Sequence, residues 1–144
     1  MLRRRMIQMA GALLLLGVLA HSVAAMPPGP EVEVLIETTE TVLGQGFAYP
    51  EGQARITAER ITVPPGALLP PHLHPVPLFA YVLQGELIVD YGSEGEIVYQ
   101  KGDALVEAID WPHQGRSGGR GKLVLLAVYA GAEGVPNTVP APLR

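Results

Sequence analysis

Glycine and proline divide this sequence into short apolar segments, and this feature limits the possible folds more than any other. The chain of 144 residues contains 17 glycines and 14 prolines, spread along its length. Because both residues are unfavourable inside helices and strands, they mark the turns between short segments. After residue 30, no apolar stripe with a 3.6-residue period reaches the length of a helix. The pattern therefore predicts many strands, tight turns and little helix.

Seven segments have the composition of β-strands, and each is bounded by Gly, Pro, Asp or Ser. Short Gly-containing connections between several of them favour hairpins, so we expect neighbouring strands to be mainly antiparallel. Seven strands at this spacing indicate an all-β sandwich or barrel. The segments are 32–38, 54–63, 78–83, 86–91, 96–100, 104–109 and 122–130.

The first 25 residues have the three parts of an export signal. Arg3, Arg4 and Arg5 are basic, residues 10–20 are apolar, and small residues precede a cleavage site after Ala25. The apolar run is shorter than the ~20 residues that a membrane-spanning helix needs. We therefore expect a cleaved signal peptide and a periplasmic or secreted protein. The arginines that precede Met6 and Ile7 are also similar to a twin-arginine signal, so the sequence does not decide between the general and the twin-arginine export pathways.

The rest of the chain is expected to be one domain with two extensions. Residues 26–53 are predicted to be an N-terminal arm and a first strand, and residues 54–131 the barrel domain. The proline-rich tail, residues 132–144, is expected to be extended along the surface or disordered.

Composition and charge exclude several kinds of site and partner. The chain has no cysteine, which excludes thiolate metal ligands, disulfides and a cysteine nucleophile. Its net charge is −4, and the only basic cluster lies in the predicted signal peptide, so we expect no nucleic-acid partner. A metal site in this chain would have to use nitrogen and oxygen ligands.

Three histidines could form one metal site. His72 and His74 are two residues apart, so in an extended chain their side chains point the same way. By itself such a pair is more often a surface or hydrogen-bonded pair than a metal site. His113 follows a predicted strand and a bend, where a distant segment can supply a third ligand. Neutral imidazoles suit Fe, Mn, Co, Ni, Cu or Zn, and three of them leave coordination positions open.

These residues resemble the two sequence motifs of the cupin family. The stretch 66–85, with His72 and His74, is similar to the first motif, G-x5-H-x-H-x3,4-E-x6-G. The stretch 102–117, with His113, is similar to the second, G-x5-P-x-G-x2-H-x3-N. The resemblance implies a conical antiparallel β-barrel of the jelly-roll type, one metal ion held inside it by motif residues, small-molecule ligands and a homodimer.

The sequence departs from the first motif at one ligand position. Leu78 stands where the motif has a metal-binding Glu, and its side chain cannot coordinate. Either the three histidines hold the ion alone, as in the three-histidine cupins that include several dioxygenases, or another carboxylate compensates. Glu107 is the candidate, because an ionised carboxylate within the apolar run 105–109 is costly unless it is paired or bound. The alternative is that Glu107 points to solvent or pairs with an Arg. Milder departures from the second motif are Ala108, Asp110 and Ser117.

Two functions fit these residues. The first is a metal-dependent oxygenase for a small chelating or anionic substrate, with Glu107 as ligand or general base. The second is a non-catalytic cupin that binds or delivers a small ligand, because no other acid–base group stands beside the histidines. Arg116 and Arg120 follow His113 in a Gly-rich segment, where they could hold an anion in a mobile loop or be solvated. A sugar isomerase or epimerase would be expected to have more basic residues here.

Overall fold

The computed structural model describes residues 29–142, and the predicted signal peptide 1–25 lies outside them. The strands belong to a compact unit that begins at Glu33. No helix in this part of the chain is long and apolar enough to cross a membrane. The described residues form nine strands and one short 3-10 helix: β1 Ala54–Val63, β2 His72–Leu73, β3 Leu78–Gln84, β4 Glu86–Asp90, the 3-10 helix Gly92–Glu94, β5 Glu96–Gln100, β6 Ala104–Val106, β7 Gln114–Ser117, β8 Leu123–Ala132 and β9 Val139–Pro140.

The strands form three sheets, and all strand pairs within them are antiparallel. The largest sheet has the order β1-β8-β3-β6, a second sheet has the order β5-β4-β7, and β2 pairs with β9. The prediction of an all-β, mainly antiparallel fold is therefore confirmed.

The core consists of aliphatic and tyrosine side chains from the two larger sheets. Val82 of β3, Leu105 of β6 and Leu123 of β8 are almost fully buried, as is Tyr91 directly after β4. Burying an aliphatic side chain of this size contributes about 1.5–3 kcal/mol relative to leaving it exposed. These side chains fix the sheets that carry the site described below.

Gly85 makes the tight connection between β3 and β4. Its φ is +81°, and a Cβ atom built there would lie 2.5 Å from the carbonyl oxygen of Lys122. A side chain at this position would therefore strain the backbone and collide with the backbone of Lys122. The sequence predicted a hairpin at residues 83–86, and this prediction is wrong, because β3 and β4 belong to different sheets. Gly85 instead lies where the chain passes from one sheet to the other.

The structure differs from the predicted strands at both ends of the chain. Residues 32–38 form no strand, and Val32 and Val34 are 85% and 71% exposed. At the other end, the tail forms β9 instead of remaining unpaired. The Gly-rich segment after His113 is partly strand as well, since β7 pairs with β4.

Candidate metal centre

The backbone joins the two motif segments directly. His72 lies in β2, and the chain around His113 runs beside it, just before β7. The His72 N–H donates to the His113 carbonyl at 3.0 Å, and the His113 N–H donates to the His72 carbonyl at 2.9 Å. His74 is held in the same way, since its carbonyl accepts from the Asp110 N–H at 2.9 Å. These bonds bring three side chains together although 39 positions separate His74 from His113 in the sequence.

The three imidazole rings form one cluster. Ring centroids are 4.8 Å apart for His72 and His74, 4.6 Å for His72 and His113, and 5.1 Å for His74 and His113. Each residue offers one ligand atom, and these atoms all lie within 4.8 Å of one another. His74 and His113 are buried, whereas His72 is half-buried.

Backbone carbonyls fix the orientation of all three rings. The Nδ1 atoms of His72, His74 and His113 lie 2.7, 2.9 and 2.8 Å from carbonyl oxygens. A carbonyl oxygen only accepts, so each Nδ1 must carry the proton. In a neutral ring the lone pair is then on Nε2. This arrangement of outer hydrogen bonds is typical of metal-binding histidines. The accepting residues are Pro70, Asn137 and Trp111.

Burial keeps two of these rings neutral. The apolar surroundings lower the pKa of His74 to about 3, against a smaller opposing effect of its hydrogen bond to the Asn137 carbonyl. Burial also lowers the pKa of His72, against an opposing effect of its hydrogen bond to the Pro70 carbonyl, and the neighbouring His113 lowers it further. Neutral imidazole is the form that binds a metal ion, because the ion needs the free lone pair.

Glu107 lies beside the histidines and not in solvent. Its side chain is buried, and Oε1 accepts hydrogen bonds from the Tyr91 hydroxyl at 2.7 Å and from the Ala108 N–H at 2.8 Å. The other oxygen, Oε2, is 3.9 Å from His113 Nε2. The two donors stabilise the carboxylate on one side, so its second oxygen can face a ligand or substrate. Of the alternatives left open by the sequence, solvent exposure and an Arg partner are therefore wrong.

Leu78 and Asp110 show how the structure accommodates the departures from the motifs. Leu78 is buried and lines the cavity at the histidines, where it adds an apolar wall and no ligand. Asp110 replaces the motif's second Gly and has a φ of +52°, so the chain keeps a left-handed turn without glycine. Such a conformation costs roughly 1–2 kcal/mol for a residue with a side chain.

Neither Arg116 nor Arg120 lines this centre. Arg116 lies in β7, and its Nη2 donates to both carboxylate oxygens of Glu96 at 3.1 Å. Arg120 is exposed in a turn before β8. The hypothesis of an anion-binding mobile loop that contains Arg116 is therefore wrong, because that side chain is paired on a strand.

No motif in the sequence predicts that the tail, or the loop that contains Gln45, lies at the site. Asn137 supplies the carbonyl that holds His74, and the Thr138 hydroxyl lies 3.2 Å from the same Nδ1. The Gln45 side chain donates to the Ile109 carbonyl and accepts from its N–H, which supports the bend before His113. A carbonyl acceptor has no side-chain signature, so only the pairing of β9 with β2 could reveal the role of Asn137.

A small cavity opens beside the three rings. Its volume is about 60 Å³, enough for a few atoms the size of water. Apart from the histidines, Glu107 and Tyr129, its described lining is aliphatic or glycine. Three imidazoles whose Nδ1 atoms are bound to backbone carbonyls, together with one carboxylate, form a donor set that fits a divalent transition-metal ion. The three histidines could thus bind a metal, as the sequence predicts.

Comparison with known proteins supports the same fold. Residues 59–129 match the family model of the cupin domain. The structure is similar to the oxalate decarboxylase formate complex of Lactobacillus farciminis, at 24% identity and a TM-score of 0.53 over 61% of this chain. It is also similar to a polyketide cyclase of Streptomyces resistomycificus, at 23% identity and a TM-score of 0.53 over 62% of this chain. A cupin-like protein of Thermotoga maritima matches at 16% identity, with a TM-score of 0.54 over 61% of this chain.

This chain spans only part of each of these structures. The match covers 27% of the oxalate decarboxylase chain, 63% of the polyketide cyclase chain and 65% of the Thermotoga protein. At these identities the similarities show the fold alone. No curated protein matches the sequence.

Proposed function

Residues 59–129 are a cupin domain, and on this premise we propose that the protein is a metal-dependent oxygenase that holds one divalent transition-metal ion through His72, His74 and His113. One observation carries the proposal. Each histidine has its Nδ1 proton bound to a backbone carbonyl, so three Nε2 lone pairs are available around one small cavity.

The ligand set supports an ion with open positions. Leu78 cannot coordinate, so three nitrogens leave places for a substrate and for dioxygen. When bound, the ion would supply a Lewis acid and a coordination template for both. Fe, Mn, Co, Ni, Cu and Zn all fit three imidazoles, and the donor set does not choose among them.

Glu107 is the group proposed to move a proton. Oε1 accepts from Tyr91 and Ala108, Oε2 lies 3.9 Å from His113 Nε2, and the residue lines the cavity. A carboxylate fixed on one side and free on the other can accept a proton from a chelating substrate as it binds. Alternatively, the Oε2 atom can bind the metal ion as a fourth ligand, because carboxylate oxygens also coordinate divalent metals.

The test is elemental analysis of residues 26–144, purified without a His tag, beside the His72→Ala/His74→Ala double variant. The proposal expects close to one transition-metal ion per chain in the wild type and a loss of it in the variant. Oxygen-electrode assays with small chelating acids and diketones would follow. A protein that binds metal but consumes no oxygen with any substrate would favour the non-catalytic binding function. Absence of metal in both proteins, after reconstitution, would refute the metal centre.

We also propose that the protein is exported and forms homodimers. The three-part pattern of residues 1–25 supports export, and the cupin resemblance supports the dimer. Mass spectrometry of the protein from a periplasmic extract should find Met26 at the N-terminus, and light scattering should find twice the chain mass.

A further inference from the structure

We propose that the substrate of this centre has a small chelating head and a neutral apolar body, and that the body lies in the pocket between β1, the Pro70–Pro71 segment and the tail. This inference rests on the proposed function, since the head is bound by the ion that the histidines hold.

Two neighbouring spaces that share walls differ in size and carry this inference. The inner cavity beside the rings measures about 60 Å³ and admits only a few atoms. An outer pocket of about 340 Å³ adjoins it and is within the size range of small-molecule sites. The two spaces share Ile61, Leu69, His72 and Tyr129 as walls. A ligand that reaches the ion with a small group therefore leaves the rest of its structure in the outer pocket.

The walls of the outer pocket are apolar and largely rigid. Ile61 and Leu69 contribute aliphatic surface, and three prolines contribute ring faces with fixed backbone. Polar groups are few, namely His72, the Tyr129 hydroxyl and the Thr138 hydroxyl. A charged body would lose its hydration here without gaining a partner, whereas an apolar body would gain from burial. The prolines are Pro70, Pro71 and Pro140.

The charge around the centre also disfavours an anionic body. Of the described residues that line either space, none is Lys or Arg. Glu107 is the one acidic side chain among them, and it already places a negative charge next to His113. Arg116 is paired with Glu96 on β7. A carboxylate on the body would therefore lie in an outer pocket whose described walls offer no cation, and one next to the head would stand beside Glu107.

The test measures the affinity of straight-chain hydroxamic acids for the Co²⁺-loaded protein by calorimetry. Hydroxamate supplies the same two-oxygen head throughout, and only the alkyl chain grows from acetohydroxamic to octanohydroxamic acid. If the body lies in the apolar pocket, each added methylene should tighten binding about fourfold until the pocket is full. The Co²⁺ spectrum should change with every acid, which shows that the head reaches the ion.

Two matched variants locate the apolar site. Ile61→Ser changes a wall shared by both spaces, and Ile56→Ser makes the same change on the same strand at a residue that is 67% exposed and lines neither. We expect Ile61→Ser to weaken the binding of octanohydroxamic acid at least tenfold and that of acetohydroxamic acid less than twofold. Ile56→Ser should change neither affinity. If circular dichroism shows that Ile61→Ser does not fold, Ile61→Thr and Ile56→Thr serve as the pair.

The outcomes separate this inference from the proposed function. Affinities that are independent of chain length, with acetohydroxamic acid still bound to Co²⁺, would overturn the apolar body and leave the metal centre intact. The same holds if oxalate or malonate binds more tightly than octanohydroxamic acid, or if Ile61→Ser keeps the full chain-length dependence. A wild-type protein that takes up no Co²⁺ would instead overturn the proposed function, and this inference with it.

Discussion

Removal of residues 137–144 should weaken metal binding, although these residues contribute no ligand. His74 Nδ1 donates to the Asn137 carbonyl at 2.9 Å, and the Thr138 hydroxyl lies 3.2 Å from the same atom. The same segment forms β9, which pairs with β2 beside His72, and the Ala141 N–H donates to the Pro71 carbonyl. The deletion thus removes the hydrogen bond that orients His74. It also removes β9, the strand that pairs with β2 at His72.

The magnitude follows from the bonds that are lost. Loss of an outer hydrogen-bond partner of a metal-binding histidine costs about 10- to 100-fold in metal affinity. This range equals about 1.4–2.8 kcal/mol in binding free energy. We expect the upper part of the range, because the deletion also removes the strand pairing at His72.

The assay is competition for Zn²⁺ with a chromophoric chelator, with circular dichroism to check the fold. A deletion of residues 142–144 is the control, since it retains Asn137, Thr138 and the Ala141 bond. Equal Zn²⁺ affinity, within threefold, in a folded 137–144 deletion would refute the reasoning.

A point substitution tests the same contact if the deletion does not fold. Arg55 Nη2 donates to the Val135 carbonyl at 2.7 Å and to Asn137 Oδ1 at 3.3 Å, so it anchors the tail from β1. Arg55→Ala should lower Zn²⁺ affinity a few-fold, less than the deletion, because the β2–β9 pairing remains.

Three further predictions concern stability. Glu107→Leu should lower the free energy of unfolding by about 1–3 kcal/mol in urea titrations, because the buried Tyr91 hydroxyl loses its acceptor, while Glu107→Gln keeps an oxygen there and should cost less. Gly85→Ala should cost about 1–3 kcal/mol more than Gly95→Ala, since both have positive φ but only the first Cβ would meet backbone; equal costs would contradict this. In EDTA the metal-free protein should lose stability as the pH falls from about 6.5 towards 3. The reason is that burial lowers the pKa of His74 in the folded protein to about 3, so as the pH falls the unfolded chain binds a proton that the folded protein does not. A His74→Gln variant lacks this titrating group and should show a smaller fall in melting temperature.

The sequence by itself determined the strand-forming segments and the three histidines. Glycine and proline positions predicted β1 and β5 with the bounds that the structure has, because turn chemistry is local. Two-residue spacing placed His72 and His74 on the same side of the chain, and the motif resemblance added His113.

Contacts between distant segments were decided only by the tertiary structure. The apolar run 104–109 predicted one strand, but β6 ends at Val106. Glu107 then lies beside His113, and the Tyr91 hydroxyl donates a hydrogen bond to its carboxylate. The tail pattern gave no sign that the Asn137 carbonyl would orient His74. The physical reason is that side-chain type and spacing are written in the local sequence. The partner of a buried carboxylate, or the donor to a backbone carbonyl, depends on which distant strands come to lie side by side.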